Sequence, residues 1–383
     1  MLTPYDDLPI HQLATTLDHV GTGDPRFFDR YWFIVYDEQG RIGLAVGLGS
    51  YKNTGVVDGF VSAVVDGVQH NVRASRALRP DYTPSVGPLR IEVIEGLREF
   101  RLISAESADS PVSFDLTWRA RFEPYEEAHH FTRSGGIVVD DYRRFYQHGQ
   151  ASGYITVAAT MVSGDFWSFR DRSFGVRPGM GGPMPATAGD TTARDEAQID
   201  PSGQAVLTFG GGFSTGEFSA TCTFAEAADG SMLKINGRLV GREGGAPDPF
   251  TGVSHDLEFY PNGVIRGGDV RFSTASGANI AVRLSELMAP LAYVGFGYLD
   301  GWTDGLGLGA YRGHLLVEVD SYDVSDVSKV RDFSGTRQFG TYTLLDQPFR
   351  ITADGRPGCM EVVAGLRPGH QRYRLDVKGG NSQ

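Results

Sequence analysis

The sequence predicts an all-β protein made of two antiparallel β-barrel or sandwich domains packed together, and three observations carry that reading. First, residues Val112 to Glu123 alternate without a break. Val112, Phe114, Leu116, Trp118, Ala120 and Phe122 fall on one side, and Ser113, Asp115, Thr117, Arg119, Arg121 and Glu123 on the other. Successive side chains of a strand point to opposite faces, so this is a half-buried antiparallel strand. Second, no apolar pattern of helical period extends beyond about 12 residues, and no strand–helix–strand rhythm is present. Third, 51 glycines and 11% aromatic residues suit turns and strands rather than helices. A length of 383 residues exceeds one ordinary domain and suggests two.

From the N-terminus, Pro9 to Asp18 is expected to form a short helix before Gly21. Arg30 to Tyr36 reads as a strand with Trp32, Ile34 and Tyr36 on one face, and Arg41 to Leu48 returns from the turn at Asp37 to Gly40. Phe60 to Val65 and Val68 to Val72 flank Asp66-Gly67, a dipeptide suited to a type I′ hairpin turn. Leu89 to Val93 and Gly153 to Met161 are further strands. Pro178 to Gly189 is rich in Gly, Pro and Met and reads as a linker or as a loop over a pocket mouth. Placing the boundary there gives an N-terminal domain, 1–183, and a C-terminal domain, 184–383. In the second half, Phe218, Ala220, Cys222 and Phe224 alternate with polar residues, and His255 to Tyr260 pairs with Val264 to Phe272 around Pro261-Asn262-Gly263. Ser285 to Leu291 reads as a short helix, and Tyr311 to Val319 and Tyr373 to Val377 as strands.

A net charge of −12 and a pI near 5.2 disfavour nucleic acid and anionic membrane surfaces as partners, since both need a basic footprint. Cys222 and Cys359 are the only cysteines, which gives neither a disulfide framework nor a zinc or iron–sulfur spacing. The N-terminus lacks an apolar signal core and no run of about 18 apolar residues occurs. A soluble, cytoplasmic protein is therefore expected, without stable membrane insertion. Gly212-Phe213-Ser214-Thr215-Gly216 fits G-x-S-x-G, but a nucleophile elbow must lead into a helix. Glu217 to Phe224 alternates like a strand, so the motif reads as a hairpin turn. Gly305-Leu306-Gly307-Leu308-Gly309 opens no helix and reads as a turn rather than a nucleotide loop. Glu126, Glu127, His129 and His130 have metal-binding side chains, yet adjacent histidines on a strand point apart. No metal and no cofactor is expected.

Charge and aromatic residues concentrate most densely in Asp165-Phe-Trp-Ser-Phe-Arg-Asp-Arg-Ser-Phe-Gly-Val-Arg177. In an extended chain Asp165, Trp167, Phe169 and Asp171 share one face, and Phe166, Arg170, Arg172 and Phe174 the other. A carboxyl between aromatic rings is desolvated, which favours its neutral, proton-donating form, while arginines pull the other way. Such opposed influences tune an acid; the same residues also fit a salt-bridged strand end that ties two sheets together. A second polar and aromatic concentration comprises Tyr298, Asp300, Trp302, Asp304, Arg312, His314, Glu318 and Asp320.

Arg170 to Arg177, Arg-Asp-Arg-Ser-Phe-Gly-Val-Arg, resembles the Arg-Asp-His-Ser-Trp-Gly-x-Arg signature of the lipocalin-like superfamily of carotenoid 1,2-hydratases (hydroxyneurosporene synthases) and AttH-like proteins. Tyr142-Arg143-Arg144-Phe145-Tyr146-Gln147, with Gly149 and Gly153, resembles the family's approach to that signature. Tyr311-Arg312-Gly313 and Glu318 are similar to its Gly-Tyr-Gly…Glu segment. Arg172 stands where the family has His, which removes a possible acid/base, and Phe174 stands where it has Trp. The resemblance implies two lipocalin-like β-barrel domains, holding an apolar ligand inside one barrel or between both. It also implies a cofactor-independent acid/base enzyme that hydrates, cyclises or isomerises a C=C bond of a hydrophobic, isoprenoid-type small molecule through a protonated intermediate. The alternative is a non-catalytic carrier of an apolar metabolite. In the enzymatic reading Asp171 is the acid or its electrostatic partner, Arg170 and Arg172 orient it, and Glu318 is a second acid/base. Trp167, Phe169, Phe174, Tyr298, Trp302 and Tyr311 line the substrate site.

Overall fold

The computed structural model describes residues 12–375 except 108–109, 135, 186–204, 243, 299–300 and 333–343. The alternating patterns become β1 (Phe27–Tyr36), β2 (Gly43–Tyr51), β3 (Val56–Val65), β4 (Val68–Ala77), β5 (Ser85–Val86), β6 (Leu89–Glu95), β7 (Glu99–Ser104) and β8 (Val112–Ala120). There follow β9 (Tyr125–Glu126), β10 (His130–Ser134) and two long strands, β11 (Ile137–Val157) and β12 (Thr160–Val176). The second half supplies β13 (Leu207–Thr215), β14 (Phe218–Glu226), β15 (Met232–Gly241), β16 (Asp248–Phe259), β17 (Ile265–Thr274) and β18 (Asn279–Glu286). After β19 (Leu291–Ala292) come β20 (Leu315–Asp323), β21 (Arg331–Asp332), β22 (Leu345–Ala353) and β23 (Arg356–Leu366).

These strands form two antiparallel barrel-like sheets. The first is 14-stranded, in the order β21-β20-β4-β3-β2-β1-β12-β11-β8-β7-β6-β5, with β9 and β10 added on β11. It wraps a core that includes Phe33, Phe100, Leu116, Trp118 and Phe166. Residues 315–332, late in the chain, complete its edge beside β4. The second sheet runs β18-β17-β16-β15-β14-β13-β23-β22-β19, and pairing of β18 with β22 closes it on itself. Closure removes the exposed edges that would template aggregation. Its interior holds Phe209, Phe213, Phe224, Phe272 and Phe349. A third apolar cluster, including Trp32, Ile34, Tyr36, Trp167, Phe169 and Leu345, joins the two sheets.

Local chemistry explains the turns. Asp66 and Gly67 both take positive φ, 50° and 75°, as a type I′ turn requires. Gly153 has φ +146°, and a Cβ there would stand 2.0 Å from the Asp115 carbonyl oxygen of β8. Gly153→Ala is expected to destabilise the protein by about 3 kcal/mol, through overpacking and backbone strain together; urea denaturation measures it.

Several local expectations change. Residues 12–18 form bends and turns rather than a helix, and residues 9–11 lie outside the described residues. Ser285 and Glu286 end β18, where they pair with Arg350 and Phe349; ladder hydrogen bonds override a helical pattern there. The expected strand Gly153 to Met161 is a hairpin that reverses at Ala158, φ 51°. The strand expected from Tyr311 starts at Leu315. Residues 373–375 are not in a strand. Residues 186–189 and 376–377 lie outside the described residues. Among the described residues no helix is long and apolar enough to cross a membrane.

Candidate functional site

The register of three neighbouring strands builds one wall of a site. β12 lies between β1 and β11, so side chains of one face align in rungs across the three strands. Arg30, Ser173 and Arg144 form one rung, Trp32, Asp171 and Tyr146 the next, and Ile34, Phe169 and His148 the third. This face turns towards the closed barrel. A cavity of about 500 Å³ lies between them, lined by the first wall and by β13, β14, β15 and β23 of the second sheet. Its volume suits a single small molecule. The barrel can approach closely because Gly210-Gly211-Gly212 faces it; a Cβ at Gly212 would meet the Phe169 ring at 2.7 Å and His148 Nε2 at 2.9 Å. Tyr293 and Tyr298, in and just after the 3-10 turn Tyr293–Phe296, complete the lining.

Asp171 lies in this cavity between Trp32 and Tyr146. Its carboxyl makes no hydrogen bond and no ion pair with any described residue. Burial raises its pKa, and the opposing charges of Arg144, Arg30 and Arg177 do not cancel that rise. The rung geometry thus places a carboxyl biased towards its protonated form between two aromatic side chains, facing open space. Arg144 is itself neutralised by Glu127, at 2.8 Å. Burial pushes the Glu127 carboxyl up, but His130 and Arg144 outweigh it and hold it at about 2. Glu127 is therefore a permanent anion, not a proton donor.

Across the cavity stands Glu361, on β23. Burial first, and then the neighbouring Asp346, raises its pKa well above the usual carboxylate range, although the Gly212 N–H donates to its Oε2 at 3.1 Å. Asp346, on β22, is fully buried and accepts a hydrogen bond from the Tyr36 hydroxyl at 2.6 Å. Burial pushes it up to about 7. Tyr298 accepts a 2.6 Å hydrogen bond from Arg30 Nη1 and a longer one, 3.4 Å, from Arg177 Nη2. Burial raises the phenol, but Arg30 and Arg177 prevail and its pKa falls below the ordinary value.

The structure brings together Asp171, Phe169 and Tyr298 of the residues singled out in the sequence. Trp167 lies on the same face, with its indole N–H donating to Ser214 Oγ at 2.7 Å and its ring stacked on Tyr36; it lines an adjoining cleft instead. Arg170 and Arg172 do not orient Asp171, because strand alternation sends them to the opposite face. Arg170 Nη2 donates to Gln147 Oε1 at 2.6 Å and lies against Phe100, Trp118 and Phe145, while Arg172 pairs with Asp29. Phe174 follows them and is exposed. Glu318 is outside the cavity: it accepts from the Thr303 N–H and hydroxyl and stands 3.7 Å from Arg73. Trp302 is buried near it, donates to the Gly297 carbonyl and lies under Arg312, and Tyr311 is exposed. Neither Trp302 nor Tyr311 lines the cavity. Asp300 lies outside the described residues.

The fold is similar to that of a candidate AttH protein from Nitrosomonas europaea, with 13% identity and a TM-score of 0.50 over 94% of this chain and 99% of that one. CghA, solved with Sch210972, follows at 11% identity and TM-score 0.46, covering 90% of this chain and 89% of its own. Kievitone hydratase from Nectria haematococca stands at 10% and 0.43, covering 87% and 88%. At 13% identity the first likeness shows a shared fold. No curated protein matches the sequence. A family model matches residues 2–339, and the chain belongs to that family, a family of unknown function (DUF8625).

Proposed function

We propose that the cavity between the two sheets is the active site of a cofactor-independent acid/base enzyme acting on a hydrophobic, isoprenoid-type substrate. The observation that carries the reading is Asp171: an unbonded carboxyl, its pKa raised by burial, between Trp32 and Tyr146 in the cavity between the sheets. Such a group donates a proton to a C=C bond and, as a carboxylate, recovers one afterwards. Adding water, closing a ring or losing a proton from another carbon gives hydration, cyclisation or isomerisation. Aromatic rings around the site exclude water from the reacting bond. We further propose that the chain forms two units, 1–183 and 184–383, with β20 of the second completing the sheet of the first.

The test is mass spectrometry of products after incubation in D₂O with a panel of linear and cyclic terpenoids and terpenoid acids. A product heavier by one D₂O supports hydration. Deuterium incorporation without added water supports cyclisation or isomerisation. Unchanged substrate bound one-to-one would replace the enzyme with a carrier of apolar molecules, and no binding across the panel would sink the isoprenoid-type class.

A further inference from the structure

The proton-transfer chemistry above leaves the rung beside Asp171, and the arginines that reach it, without a role. Arg30 is 3% exposed. Among the described residues, neither Arg30 nor Arg177 forms an ion pair with a carboxylate. Arg30 Nη1 is used on Tyr298, but its Nη2 has no acceptor, and neither has Arg177 Nε. Both guanidiniums rest on aromatic faces instead: Arg30 lies 4.9 Å from the Trp32 ring centre and 5.1 Å from that of Tyr298, and Arg177 5.2 Å from that of Phe28. A buried guanidinium donor with no acceptor is costly unless something completes it. Arginine presents a planar fork of donors that matches oxyanions. Both arginines and Tyr298 line the same cavity as Asp171.

We propose that Arg30, Arg177 and Tyr298 form a subsite for an anionic oxygen of the ligand, so that the molecule bound here is largely hydrophobic and bears a carboxylate or enolate oxygen. This deepens the proposed function and relies on it only for the identity of the cavity. The inference also resolves an electrostatic conflict. A cationic intermediate formed beside two unneutralised guanidiniums would be repelled. A substrate that brings its own anionic oxygen neutralises them before the proton moves. Pairing of Arg144 with Glu127 removes the third arginine from this competition.

The test compares equilibrium binding of farnesoic acid, its methyl ester and farnesol at pH 8, by isothermal titration calorimetry. A charge-assisted pair of hydrogen bonds predicts that the acid binds about tenfold to a hundredfold tighter than the ester or the alcohol. Arg30→Gln and Arg177→Gln should each shrink that preference. Equal affinity for the three probes, or a preference untouched by both arginine variants, overturns the subsite. The wild-type comparison stands if a variant fails to fold. Absence of turnover in D₂O with an intact preference for the acid would remove the enzymatic reading and leave the subsite standing.

Discussion

Asp171→Asn is expected to lower deuterium incorporation into substrate by about 10²–10⁴-fold, the range for loss of a positioned general acid, while melting temperature and farnesoic acid affinity stay close to wild type. Asparagine has nearly the shape of the carboxyl it replaces. Because Asp171 makes no hydrogen bond with the described residues, the change leaves no partner unsatisfied. Burial raises the pKa of Asp171 despite Arg144, Arg30 and Arg177, and a neutral amide imitates the protonated form that would donate. What it lacks is a transferable proton. The wild-type rate should likewise fall as pH rises through the raised pKa, because only the protonated form donates. Retained turnover in the variant would remove Asp171 from catalysis. Loss of folding would instead show that the residue ties the two sheets together.

The strand alternation of Asp165 to Arg177 correctly places Trp167, Phe169 and Asp171 on one face, since period-two geometry needs nothing beyond the local chain. The same rule sends Arg170 and Arg172 away from Asp171, although they are its neighbours in sequence. The cations that do act on Asp171 come largely from elsewhere. Arg30 and Arg144 reach it through the register of β1 and β11 on β12, which depends on pairing between distant segments. Arg177 belongs to the stretch itself. Glu361 and Asp346 leave only a faint trace: a lone acid between Met360 and Val362, and another in Leu345-Asp346-Gln347-Pro348-Phe349. Met360 and Val362 enter the closed barrel's core, and alternation turns Glu361 outward into the cavity. Glu318, Trp302 and Tyr311 rest on similarity and composition alone. Pairing of β20 with β4 sets Glu318 beside Arg73, Trp302 lies under Arg312, and Tyr311 is exposed, so none of the three reaches the cavity.

Asp346 leads to a stability that depends on pH in the direction opposite to ordinary acid denaturation. In the unfolded chain it titrates near 4; burial pushes it up to about 7 in the folded protein. Between those values the folded state holds a proton that the unfolded state has lost. Stability from this group therefore falls as pH rises from about 4 to about 7 and is constant above, by up to about 4 kcal/mol in all. Glu361, raised by burial and by Asp346, acts with the same sign. Asp346→Asn keeps an oxygen for the Tyr36 hydroxyl, removes the titration and relieves Glu361 of a charged neighbour. The stability of the variant minus that of wild type should consequently rise between pH 4.5 and pH 8, as measured by urea denaturation across that range. His148, held down at about 3 by burial, loses stability in acid, and Asp58, raised to about 6 by burial, titrates in the same window. Both are present in the two proteins, so their contributions cancel in the difference. A difference that stays flat with pH would mean that water reaches Asp346 in the folded state and that the carboxyl pair behind the cavity is not desolvated, which would also weaken Glu361 as a neutral group facing the ligand.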